Sequence, residues 1–297
     1  IIDNQTNQVV AVGGSLGEQN SIGLNRGTQI TRQTGSSMKP LADIAPGLQE
    51  KIITAATIYD DAKTDFGGGY KPDDYNTPKG LINIRSCIRT SQNIPMVKVM
   101  AQLTPKKSIE YLKKMGITTL SEKDENLALA LGGLDKGISP LQMASAYATI
   151  ANDGVLMKPR IVKQITNTDT GAITNIEPTT VRQVVSKETS QKVKSMMESV
   201  VTKGTGGRGA VAGYSIGGKT GTSEPTDDKK ETEGYVASYV AISPIEDTRV
   251  VLLLTLYKPS ESNHQGGQVA GPVVSQMLTK ISVSYTHLRA HETDQYL

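Results

Sequence analysis

The chain of 297 residues is 37% hydrophobic and 21% charged, enough to build the core of one large domain or two modest ones. Its 32 Lys plus Arg against 29 Asp plus Glu leave a net charge of +3 with no basic block, which argues against a dedicated nucleic-acid binder. A single cysteine, Cys87, and three histidines leave no intrachain disulfide and point to no metal site or cofactor, and the longest apolar run, Val250 to Leu256, is far below the roughly 20 residues of a membrane-spanning helix.

The chain opens inside strand-like sequence, Ile1 to Asp3 and Gln8 to Val12, closed by the turn Gly13-Gly14, so the native start is expected upstream. Met38, Leu41, Ile44, Ala45 and Leu48 share one helical stripe, which places Ser36 at a helix start. A helix is expected from Ile82 to about Ala101, interrupted near Pro95, and another over Ser108 to Met115. Ser139-Pro140-Leu141-Gln142 combines a capping Ser, Pro at the first helical position and Gln at the third, and Ser186 caps a second helix that carries Val193, Met196, Met197, Val200 and Val201 on one face. The last third changes period: Tyr214 to Gly218, Tyr235 to Ile242 and Arg249 to Tyr257 read as strands of an antiparallel meander, followed by a helix over Gln268 to Lys280. Helices on an antiparallel sheet make the class α/β (α+β). From Val283 to Thr293 the residues VSYTHLRAHET match an in-frame translation of a transposon-type sequencing adapter, so residues 1–282 are expected to form the domain and 283–297 a foreign tail. His287 and His291 fall in that tail and enter no catalytic reading.

Three short motifs stand in order: Ser36-Ser37-Met38-Lys39, Ser91-Gln92-Asn93 and Lys219-Thr220-Gly221. A Ser-x-x-Lys arises roughly once by chance in a chain of this length, so the context discriminates. At a helix start, Ser36 and Lys39 lie one turn apart on the same side. A serine nucleophile without a usable histidine needs another base, and Lys39 qualifies if burial and a second cation, Lys219, disfavour its ammonium form. The backbone N–H groups of Ser36 and Thr222 suit an oxyanion, Gly221 gives an acyl group room against the strand, and Ser91 and Asn93 suit proton transfer to a leaving amine and grip on a substrate amide.

This trio resembles the active site of the penicillin-binding transpeptidases. The surrounding phrases resemble the bifunctional class A members: Leu24-Asn25-Arg26 and Arg32, Thr34 to Pro40, Ser91 to Pro95, Ala130 to Gly133, Gly137 to Ala144 and Gly218 to Thr222. The resemblance implies the penicillin-binding transpeptidase and β-lactamase-like fold, an antiparallel sheet packed by helices with a helical subdomain. It implies that Ser36 is acylated by the D-Ala-D-Ala end of a peptidoglycan stem peptide and passes the acyl group to an amine of a neighbouring stem. β-Lactams would acylate the same serine. It also implies an upstream membrane anchor and glycosyltransferase domain, and a site of action on the extracytoplasmic face of a bacterial membrane. A serine β-lactamase is the first rival, although no Glu-x-x-Leu-Asn segment lies between the second and third motifs and Gln92 stands where those enzymes usually carry Asp. A non-catalytic β-lactam sensor is the second.

Overall fold

The computed structural model describes residues 1–14, 23–225, 234–260 and 262–294, with side chains through Ser282. In chain order, β1 (Ile2–Asp3) and β2 (Gln8–Val9) precede the helical segment that ends in α1 (Ala45–Gln49). A hairpin of β3 (Ile58–Asp60) and β4 (Leu81–Asn83) leads into α2 (Ile84–Thr90), α3 (Ile94–Leu103) and α4 (Pro105–Lys114). After α5 (Pro140–Ala151) come the short strands β5 (Val155–Met157), β6 (Gln164–Thr166), β7 (Ile173–Asn175) and β8 (Thr180–Gln183), then α6 (Lys187–Lys203). The chain finishes with β9 (Gly217–Ser223), β10 (Val236–Ser243), β11 (Val250–Tyr257), α7 (Gly266–Val269) and α8 (Gly271–Asp294).

The central sheet has five strands in the order β2-β1-β11-β10-β9, and its paired neighbours run antiparallel. Strand β10 is buried along its whole length, and its alternating residues feed two cores. Val240 and Ile242 join Val251 and the large helical core that contains α5 and α6. Tyr239 and Ala241 face the other way, onto Ala270, Val274 and Leu278 of the C-terminal helices. An antiparallel sheet covered on both faces is the consequence, and the run VVLLL of β11 is apolar for the same reason.

The caps read from sequence are present: Ser139 Oγ accepts the Gln142 N–H at 3.3 Å and Ser186 Oγ the Thr189 N–H at 3.1 Å. Four expectations shift. The expected helix from Ile82 begins at Ile84 after a strand, because Asn83 caps it by accepting the Ser86 N–H at 2.9 Å, and it breaks at Ser91 to Asn93. The helix expected from Ser108 starts at Pro105, where Thr104 accepts the Lys107 N–H at 3.3 Å. The strand expected over Tyr214 to Gly218 instead occupies Gly217–Ser223, so the third motif lies inside it; register with β10, not β propensity, holds this glycine- and threonine-rich sequence extended. The C-terminal helix, expected to stop near Lys280, continues as backbone to Asp294; the expectation that side chains from Val283 onward fail to pack lies outside the described residues.

Candidate active site

The first motif sits where the helix changes pitch. Gly35–Met38 forms a tight 3-10 turn, with the Lys39 N–H on the Ser36 carbonyl, and Pro40–Ile44 forms a wider π turn, with the Ala45 N–H on the Pro40 carbonyl. Pro40 has no N–H to offer the Ser37 carbonyl. The Tyr147 hydroxyl of α5 donates to that carbonyl at 2.5 Å, pinning the turn from the core. Ser36 is half-buried on this turn, whereas Ser37 and Met38 are buried, Ser37 donating to the Thr34 carbonyl at 2.6 Å.

Glycines let β9 close over the turn. Gly35 has φ +56°, and a Cβ there would stand 2.2 Å from the Thr222 carbonyl. A Cβ at Gly221 would meet Ser238 Oγ at 2.4 Å and the Thr34 carbonyl at 2.7 Å. Gly221, expected to give an acyl group room, also has a packing role: it brings the strand against the serine turn. Thr220 turns its hydroxyl away to Thr205 Oγ1 at 3.0 Å, and Thr222 accepts the Gly266 N–H at 3.1 Å.

The second motif interrupts α2 and α3. Ser91 takes the left-handed conformation, φ 62° and ψ 34°, a strain of about 1–2 kcal/mol for a residue with a Cβ. Bent in this way, the segment wraps the Lys39 ammonium, which donates to the carbonyls of Ser91 at 2.8 Å and Gln92 at 2.9 Å and to Asn93 Oδ1 at 2.7 Å, with Ser91 Oγ at 3.5 Å. Lys219 reaches in from β9 and donates to Ser91 Oγ at 2.9 Å and to the Thr220 carbonyl at 2.8 Å. Lys39, Ser91, Asn93 and Lys219 thus meet in one place beside the serine turn. Asn93 Nδ2 also donates to the Asp73 carbonyl at 2.6 Å, so both polar ends of the side chain help orient the site, while the second N–H of that amide is still open to the substrate grip expected from sequence.

Both lysines are fully buried. Burial lowers Lys39 to about 8, against the pull of the carboxylates of Asp43, Asp74 and Asp61. Lys219 falls well below the ordinary lysine range, first by burial and then by repulsion from Lys39. The repulsion between the two ammonium groups is mutual, and on the Lys39 side the nearby carboxyl groups offset it. Sequence reading missed Tyr147, Asp61 and Asp74, and named Gln92 only as the middle of the second motif. Gln92 and Asp61 meet from positions 31 residues apart, and Asn93 and Asp74 from 19 apart, so no local pattern announces them.

A serine on a tight turn, two buried lysines and a second serine between them, on an antiparallel sheet covered by helices, place the chain among the penicillin-recognising serine folds. The family model described as the penicillin binding protein transpeptidase domain matches residues 1–279, and the chain belongs to that family. Penicillin-binding protein 1F of Bacillus subtilis is 37% identical over 241 residues, covering 80% of this chain and 32% of that protein. A probable peptidoglycan D,D-transpeptidase of Neisseria flavescens, PenA, is 26% identical over 94% of this chain and 73% of its own. Among solved structures, the transpeptidase domain of Burkholderia pseudomallei penicillin-binding protein 3 superimposes with a TM-score of 0.74 at 27% identity, covering 96% of this chain and 86% of that one. The chain spans about a third of the length of two Bacillus subtilis relatives, 32% of penicillin-binding protein 1F and 36% of penicillin-binding protein 4.

Proposed function

We propose that this chain is the module that cross-links peptidoglycan: a serine D,D-transpeptidase working through an acyl-enzyme on Ser36, with β-lactams acylating the same oxygen. In acylation, Ser36 Oγ attacks the carbonyl carbon of the penultimate D-Ala while neutral Lys39 takes the hydroxyl proton. Ser91, hydrogen-bonded to Lys219 and near Lys39, passes a proton to the departing D-Ala amine, and the N–H groups of Ser36 and Thr222 receive the oxyanion. An amine of a second stem peptide then displaces Ser36. Asn93 acts here by orienting Lys39, and Thr220 and Gly221 by setting the strand. The observation that carries the reading is the convergence of Lys39, Ser91 and Lys219 from three separate segments in a member of this family.

Residues 1–282 are the transpeptidase unit in this reading, and 283–297 an appended tail. The class A phrases support a parent protein with an upstream glycosyltransferase domain and a membrane anchor, acting on the extracytoplasmic face. Among the described residues no helix is long and apolar enough to cross a membrane. Incubation with a labelled penicillin and, separately, with a D-Ala-D-Ala stem peptide plus an amine acceptor tests the activity. Covalent label on Ser36, D-Ala release and an amide-linked product are expected, and Ser36→Ala should take up no label while keeping its fold. Label without D-Ala release would leave a sensor, and rapid turnover of the penicillin a β-lactamase.

A further inference from the structure

Two carboxyl groups that the proposed reaction does not use lie behind the second motif. Asp61 is fully buried, and its Oδ2 accepts the Gln92 side-chain amide at 2.5 Å and the Lys79 N–H at 2.8 Å. Asp74 accepts the Asn93 backbone N–H with Oδ1. The two remaining oxygens, Asp61 Oδ1 and Asp74 Oδ2, are buried and receive no donor, while the two carboxyl groups contact each other through their side chains. An ionised carboxylate only accepts, so a hydrogen bond between two of them exists only when one carries a proton.

We propose that Asp61 and Asp74 hold one proton between them, and that this acid–carboxylate pair is the positioning device that fixes Gln92 and Asn93 and, through them, the acceptors around Lys39. The role rests on the reading of Lys39 as the acylation base. Each member grips one residue of the segment, Asp61 the Gln92 side chain and Asp74 the Asn93 N–H. The shared proton ties the two grips together across 13 positions of sequence, Asp61 to Asp74.

Burial, countered by the Asn93 N–H and then reinforced by the contact with Asp61, pushes Asp74 up to about 6. Two groups face the pair, Lys39 from the serine helix and Cys87 from α2; Asp43 lies against Lys39 on that helix, and Asp73, next in sequence to Asp74, is exposed and ion-paired with Lys63 at 2.8 Å. Burial raises both Asp43, against the opposing pull of Lys39, and Cys87, whose thiol it keeps neutral. Below about pH 6 the pair keeps its proton and the clamp is closed; above it the proton leaves and two like charges in contact loosen the clamp.

Asparagine replaces the proton permanently. In Asp74→Asn the amide oxygen accepts the Asn93 N–H and the amide nitrogen donates to Asp61 Oδ1, and Asp61→Asn is the mirror case. In the double variant two NH2 groups face each other without an acceptor. The experiment measures acylation by a labelled penicillin from about pH 5 to about pH 8, together with thermal unfolding, on the full chain carrying Asp61→Asn, Asp74→Asn, both, or Asp74→Ala. Each single asparagine variant should acylate within about threefold of the unsubstituted chain at low pH and gain on it as pH passes the titration of the pair, whereas the double and alanine variants should lose about tenfold or more, the expected effect of stranding buried groups. Unfolding midpoints should follow the same non-additive order whether or not penicillin is taken up. A double variant no worse than the singles, or a rate ratio flat across the titration, overturns the pair. Absence of label on Ser36 in the unsubstituted chain would strike the transpeptidase reading instead, with the unfolding cycle still deciding whether the proton is shared.

Discussion

In the proposed reaction Lys39 is the residue on which the chemistry turns, because there it must be a base at the pH where it works. Burial lowers it to about 8, so roughly a tenth of the molecules carry the free amine at neutral pH. Acylation by penicillin should therefore rise with pH and level off above about 8, read as a rate profile with the ligand in excess, with the rise shallower above about 6, where the Asp61–Asp74 clamp loosens, than in Asp74→Asn. The sign for stability follows from the same shift. The folded value lies below the unfolded 10.5, so burying Lys39 costs stability below about 8, and that cost disappears as pH climbs toward 10.5. Lys39→Arg keeps the charge but holds its proton at every working pH, and acylation should fall by on the order of 10² to 10⁴. An arginine variant acylating at the ordinary rate would remove the base assignment. Ser91 owes its place between the two lysines to its left-handed backbone, strain of the kind that collects where geometry serves function.

At the scale of elements, the serine turn is held from two sides. Tyr147 of α5 supports the Ser37 carbonyl, and β9 leans on the turn through Gly35 and Gly221. Tyr147→Phe removes the donor and leaves a buried carbonyl unsatisfied, which should cost about 1–3 kcal/mol in denaturant unfolding and slow acylation at Ser36. Gly35→Ala faces both a positive φ and a backbone clash, and should destabilise by at least about 2 kcal/mol, more than alanine at the exposed Gly68, which also has a positive φ but no neighbour within 4 Å. Similar losses at the two positions in unfolding measurements would show that the strand does not press on the turn.

For the molecule as a whole, the sheet divides two cores and places the site at the edge strand β9, where the strand's free side meets the serine turn. Helix α8 closes the second core through Val274 and Leu278, both before the segment read as adapter-derived. If 283–297 is an appended tail, deleting it should leave penicillin acylation within about twofold, since a segment foreign to the fold shifts the site by a few tenths of a kcal/mol at most. Loss of acylation in that deletion would make the tail a working part of the domain.

What the sequence determined by itself was the set of helices with strong local signals, the antiparallel meander and the three motifs in order. Caps such as Ser139 and Ser186 and the apolar stripe from Met38 to Leu48 act within a few residues, so the chain declares them locally. The glycine-rich strand at Lys219, the α2 break at Ser91 and the commitment of Asn93 to Lys39 and Asp73 were decided elsewhere. Each depends on partners many positions away: β10 for the strand, Lys39 for the bent segment, and the carboxyl pair of Asp61 and Asp74 for what lies behind it. Residue type and spacing carry the inventory of polar groups; burial, the charges gathered around each lysine and the hydrogen bonds that hold each side chain arise only when distant segments meet, and on them rest the proposed roles of base, clamp and packing.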